Sequence, residues 1–150
     1  MRADTLTYRY VYQSPQNKLY QTLLDQQLKY FKYHDANITS LHEGDEISTN
    51  LKTKIRNLDS ATTIKVTKIV PNKEFQLETH QPGDHNITQT FKFDKNVNGK
   101  NELVYSEQTN IKTVRGQSYF FLTALLYKFF YNRGMKKKLQ YLDKIALGVA

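Results

Sequence analysis

The chain has no cysteine. Disulfides, thiolate metal centres and thiol nucleophiles are thereby excluded. It also lacks tryptophan, and its 150 residues hold only three prolines and six glycines. So few breakers leave no stretch that reads as a linker, and one domain is expected over 1–150. Long apolar runs are missing too. The greasiest stretch, Tyr119–Tyr131, falls short of the roughly 20 residues a spanning helix needs and carries Lys128 inside it. The opening MRADTLTYRY has no apolar core of a signal peptide. A cytosolic protein is therefore expected. No G-x-S-x-G, P-loop or dinucleotide fingerprint occurs. Acid is scarce in the last quarter: Lys112–Ala150 holds eight basic residues against Asp143 alone, which is +7 of the chain's net +8.

What is present is aromatic. Eleven tyrosines and eight phenylalanines supply enough burial for a sizeable core. Leu6, Tyr8, Tyr10 and Tyr12 alternate with Thr7, Arg9 and Val11 and predict a strand with an aromatic face. Ser14-Pro15 then reads as a helix start, with Ser as N-cap and Pro in the first turn. Leu19, Tyr20, Leu23, Leu24, Leu28 and Phe31 recur at helical spacing, so one helix or two short ones should cover about 15–33. Five alternating segments follow: 47–55, Ile64–Val70, Phe75–Thr79, Ile87–Phe93 and Leu103–Ile111. Pro71-Asn72, Pro82-Gly83 and Asn98-Gly99 punctuate them, and the last pair is the strongest hairpin signal in the chain. Short connections imply antiparallel pairing. From Gln117 onward the pattern is helical. The expected class is α+β, with helices gathered on one face of the sheet.

The terminal helix shows two apolar stripes. Phe121, Ala124, Tyr131, Met135, Leu139, Leu142, Ala146 and Val149 share one face, interrupted only by Lys128, and should lie on the sheet. Tyr119, Leu122, Leu126, Phe129 and Phe130 form a second stripe on the opposite side of the first half. That stripe packs under other elements, forms a homodimer or partner interface, or meets a membrane surface.

Polar residues on otherwise inward faces are the candidates for chemistry: Tyr10, Thr49, Thr53, Gln89, Tyr105, Glu107 and Lys128. They are either convergent groups in an apolar pocket or ordinary buried polar groups paired with one another. Glu107 and Lys128, each charged and each on an apolar stripe, are expected to face each other, because a lone buried charge is costly. His80, Asp84 and His85 flank one turn without a further ligand pair, so no metal and no cofactor is assigned. Arg133 and Lys136–Lys138 fan around a helix rather than along one stripe, and nucleic acid is not an expected partner.

This order of elements, with the tail YFFLTALLYKFFYNRGMKKKLQYLDKI, resembles the helix-grip fold. That is the START-related, birch-pollen-allergen-like (SRPBCC) superfamily, and the tail looks like that of small bacterial members of uncharacterised function. The resemblance implies a curved antiparallel sheet of about six strands around a long C-terminal helix, with one or two short helices after the first strand. It implies a cavity for an apolar or amphipathic small molecule or lipid, lined by Tyr10, Leu51, Thr53, Phe91, Tyr105, Glu107, Phe121, Lys128, Tyr131 and Met135. The rival functions are an interaction module with a filled core, acting through Tyr119–Phe130, and a cyclase- or hydrolase-type enzyme on the same scaffold.

Overall fold

The computed structural model describes residues 5–50, 61–81, 85–110 and 134–149. The described elements are β1 (Thr5–Val11), α1 (Gln16–His34), β2 (Glu46–Asn50), β3 (Ala61–Val70), β4 (Glu74–Gln81), β5 (His85–Lys95) and β6 (Asn101–Asn110), followed by α2 at 134–147. The six strands form one antiparallel sheet in the order β1-β6-β5-β4-β3-β2. The curved sheet wraps the C-terminal helix, with the other helix inserted after the first strand, as the helix-grip resemblance implies. The first stretch of the predicted terminal helix, up to residue 133, lies outside the described residues.

Side-chain alternation fixes the sheet's two faces. Leu6, Ile47, Ile64, Val66, Phe75, Leu77, Phe91, Phe93, Leu103 and Tyr105 are buried on the helix side. The other face carries polar pairs such as Arg9–Glu102 at 2.8 Å and Lys68–Glu74 at 2.9 Å. One feature escaped the alternation. The β3–β4 register shifts between Val66 and Lys68, a bulge that adds one residue and reverses which side chains point inward. Ile69, opposite Phe75, therefore joins the core, where the sequence pattern had placed Val70. The bulged Thr67 is held by its hydroxyl, 3.0 Å from Gln76 Oε1.

The turns follow local chemistry. Pro71-Asn72 closes β3 to β4, with Lys73 N–H donating to Val70 O at 3.0 Å and Asn72 at φ +61°, which asparagine tolerates better than most residues. Gly99 sits at φ +76°. The Asn98-Gly99 hairpin is not a two-residue turn, however. Asn96 Oδ1 accepts the N–H groups of Asn98 and Lys100 at 2.9 and 3.0 Å, which stabilises a loop over 96–100.

Helix α1 buries Leu19, Tyr20, Leu23 and Phe31, the 3.6-residue stripe expected. Its start differs from expectation. Pro15 is the N-cap residue and no side chain caps the helix; the Ser14 hydroxyl is engaged elsewhere. Helix α2 buries Leu139 and Leu142 and packs Met135 and Ala146 on the core. Val149, placed on that stripe by periodicity, is 71% exposed. The helix has already ended there in a Schellman turn: Gly148 at φ +78°, Gly148 N–H to Ile145 O and Val149 N–H to Lys144 O, both 3.0 Å. No helix among the described residues is long and apolar enough to cross a membrane.

Candidate functional site

Strand register arranges the inward side chains in cross-strand rows. One row reads Tyr8, Tyr105, Phe91, Phe75, Ile69. Its rings touch: Phe91 and Tyr105 centroids are 4.7 Å apart, Phe75 and Phe91 6.3 Å. This row is filled. The adjacent row reads Leu6, Glu107, Gln89, Leu77, Val66. Here apolar walls flank two polar side chains. The row beyond, Thr109, Ile87, Thr79, Ile64, Ile47, is mixed.

Gln89, Tyr105 and Glu107 form one hydrogen-bonded set. Gln89 Nε2 donates to the Tyr105 hydroxyl at 2.8 Å, and that hydroxyl donates to Glu107 Oε2 at 3.1 Å. Tyr105 is 1% exposed, so its oxygen needs protein partners. Residues 105 and 107 stand on one face because a strand repeats every two residues, and Gln89 lies directly across from Glu107. From the facing helix, Lys138 comes within the electrostatic field of Glu107. Lys138 remains accessible to solvent. Enough protein surrounds it that burial holds its pKa below that of an ordinary lysine, against the opposing pull of Glu107.

A second polar cluster ties α2 to the start of the chain. Asp143 is 2% exposed. Its Oδ2 accepts the Tyr10 hydroxyl at 3.0 Å and Gln13 N–H at 2.9 Å; its Oδ1 accepts Ser14 N–H at 3.0 Å and the Ser14 hydroxyl. Burial alone would raise the pKa of this carboxyl. The donors from Ser14, Gln13 and Tyr10 outweigh that and hold it below the ordinary aspartate value. Tyr10 is pushed up to about 12, first by burial and then by its bond to Asp143.

Tyr12 ends the aromatic face of the first strand, edge-on to Phe93 at 5.9 Å. Its buried hydroxyl has no hydrogen-bond partner among the described residues. Leaving such a group unsatisfied costs about 1–3 kcal/mol. Tyr12→Phe should therefore raise stability by about 1 kcal/mol. A urea titration checks this, the midpoint rising at unchanged slope.

The structure thus unites Tyr105 and Glu107 with Gln89, and packs Phe91 beside them. Met135 is partly buried against the core. Tyr10 lies two rows away, committed to Asp143. Leu51, Thr53, Phe121, Lys128 and Tyr131 lie outside the described residues, as do Tyr119, Leu122, Leu126, Phe129 and Phe130; the expected Glu107–Lys128 pair falls there too. Two residues escaped the sequence reading. Lys138 is exposed, as the solvated cluster implies; its link to Glu107 goes with its place three residues after Met135 and four before Leu142, on the edge of the inward stripe. Asp143 was read only as a lone acid in a basic segment, although it follows Leu139 by one helical turn. A hollow of about 340 Å³ is lined by Thr22, Asp25, Gln26, Leu28, Lys29, Lys32 and Ile145. All of these belong to the two helices, so this is not a space between sheet and helix. His80 hydrogen-bonds Asn86 at 2.9 Å, and Asp84 lies outside the described residues. Among those described, no group of three or more potential ligands could hold a metal ion.

Residues 7–128 match the family model described as a domain of unknown function, DUF3284. A comparison with curated proteins gives no match. Solved structures share the fold. A Staphylococcus epidermidis protein solved by NMR is 12% identical with a TM-score of 0.60, covering 100% of this chain and 93% of its own. A Mesorhizobium loti protein is 15% identical with a TM-score of 0.59, covering 93% and 97%. Ara h 8.0201 is 11% identical with a TM-score of 0.57, covering 96% and 97%.

Proposed function

The chain belongs to the DUF3284 family and has the helix-grip fold; from that premise we propose that it binds an apolar or amphipathic small molecule between the inner face of the sheet and the C-terminal helix. One observation carries this reading. Where the aromatic row ends, the inner wall changes to a few hydrogen-bonded polar groups, Gln89, Tyr105 and Glu107, set among Leu6, Leu77 and Val66. Such groups add little to a purely structural core, but they are what orients a ligand in an apolar pocket. Met135 supplies apolar contact on this reading, with Leu51, Thr53, Phe121, Lys128 and Tyr131 proposed for the same pocket, whereas the Phe91 and Tyr105 rings belong to the filled row beside it. Binding energy comes from buried apolar area at roughly 25 cal/mol per Å², and the polar set fixes orientation. Tyr10 belongs to the Asp143 clasp rather than to the wall.

Native mass spectrometry of protein purified from the cells that make it tests the reading. A bound small molecule, released on denaturation and mostly hydrocarbon in composition, is expected. The bare chain mass, together with failure of an apolar fluorescent dye to bind, would overturn it.

A further inference from the structure

The large aliphatic side chains exposed among the described residues gather at one end of the molecule. They are Val11, Val97, Leu147 and Val149. Strand pairing places the first two. Val11 lies opposite Glu102, and the loop 96–100 joins β5 to β6 just past that level. Helix α2 brings the other two. Lys138 stands in the field of Glu107, which pairs with Leu6 near the start of β1. Asp143, further along the helix, accepts the N–H groups of Gln13 and Ser14, beyond the end of β1. The helix therefore runs toward the end of the sheet that carries the 96–100 loop, and Leu147 and Val149 finish there.

The loop holds its tip still. Asn96 accepts the N–H groups of Asn98 and Lys100 on its side chain and that of Gly99 on its backbone oxygen, and its own N–H donates to Lys100 O at 2.9 Å. Val97 is left fully exposed on this clamped loop, with Lys95 and Lys100 on either side. A single exposed apolar side chain is ordinary; this one stands on a rigid tip within a group rimmed by cations. Lys73, whose carbonyl accepts Phe93 N–H at 2.8 Å, and Lys144 extend the rim, and all four lysines are exposed. The described acids at this end oppose them weakly. Asp94 is exposed, but Glu102 is paired with Arg9, Glu74 with Lys68, and Asp143 is buried.

We propose that this end docks on a lipid surface of net negative charge, with Val97, Leu147 and Val149 entering the headgroup layer and the lysines facing anionic headgroups. Charge complementarity selects that occupant. An apolar patch with a basic rim matches a bilayer interface, and each lysine near such a surface strengthens binding about fivefold at low salt. This docking needs nothing from the pocket between sheet and helix.

Co-sedimentation with lipid vesicles tests it. The whole chain should bind vesicles of phosphatidylcholine and phosphatidylserine, ignore pure phosphatidylcholine, and let go as salt screens the lysines. Net charge alone would also draw the chain to anionic lipid, so position decides. Lys95→Ala with Lys100→Ala should weaken binding roughly 25-fold, at fivefold per lysine. Lys29→Ala with Lys32→Ala removes the same charge from α1 and should weaken it far less. Val97→Ser leaves the charge untouched and should weaken binding severalfold, because the apolar contact is gone. The clamping bonds come from Asn96 and the backbone, so melting midpoints of these variants should not move. Should the two lysine pairs weaken binding equally, or Val97→Ser bind as the wild type does, the attraction is the chain's general charge and docking through this end is overturned. No binding to anionic vesicles at low salt overturns it as well, and leaves another protein as the occupant to seek.

Discussion

Asp143→Ala is expected to cost about 3–5 kcal/mol, the range for removing one partner of a buried, charge-assisted set. For a chain of this size that means a melting midpoint lower by roughly 10 °C. The variant loses four acceptor contacts at once and strands the N–H groups of Gln13 and Ser14. Asp143→Asn should not rescue it, because the amide turns a donor toward groups that are already donors. The same residue sets the acid limit. Its folded pKa lies below the ordinary aspartate value, so its stabilisation is complete above pH of about 4 and disappears as pH falls through the folded value. In Asp143→Asn this part of the acid dependence should vanish. At the other extreme, Tyr10 is raised from 10.0 to about 12. The stability linked to it is complete below pH 10 and is lost as pH climbs toward 12, when the phenolate repels Asp143. Urea titrations at a series of pH values measure both limbs. An acid limb identical in the wild type and Asp143→Asn would show that the clasp carries no pH dependence.

The second large effect belongs to the filled row. Phe91 is buried between Phe75 and Tyr105. Phe91→Ala should cost about 3–5 kcal/mol, combining lost transfer energy with the void left behind. That is a large part of the 5–15 kcal/mol typical of a domain. Phe91→Leu, which keeps most of the volume, should cost much less. Denaturant unfolding measures both. If Phe91→Ala costs under 1 kcal/mol, the ring lines open space rather than a packed row, and the division of the inner wall into a filled row and a polar row fails.

Much of this was legible in advance because it depends on periodicity. The alternation of Leu6, Tyr8, Tyr10 and Tyr12 and the stripe through Leu19, Leu23 and Phe31 are local signals, and turn residues marked the hairpins. Inward polar residues could be named as well, since Gln89, Tyr105 and Glu107 interrupt apolar alternation. What periodicity could not supply was pairing. Nothing in the spacing of residues 89 and 105 says that an amide meets a phenol, because that depends on strand register. Asp143 and Ser14 are 129 residues apart, and Ser14 before a helix reads naturally as a cap until a deeper carboxylate competes for its hydroxyl. The bulge at Thr67 was hidden because one inserted residue changes parity without changing composition. Lys138 is exposed, as a run of three lysines suggests; what that run could not show is that the last of them comes under the influence of Glu107 across the chain.

The closing order of the molecule has a consequence for its synthesis. The first strand finds its hydrogen-bonding neighbour only in residues Asn101–Asn110, and Tyr10 meets its acceptor 133 residues downstream. A growing chain on the ribosome therefore holds that strand without its paired neighbour until residues beyond 108 have emerged. Folding of this topology is set by late, long-range closure rather than by its early helix. Until that closure the strand's unpaired edge and apolar side are open to misassociation.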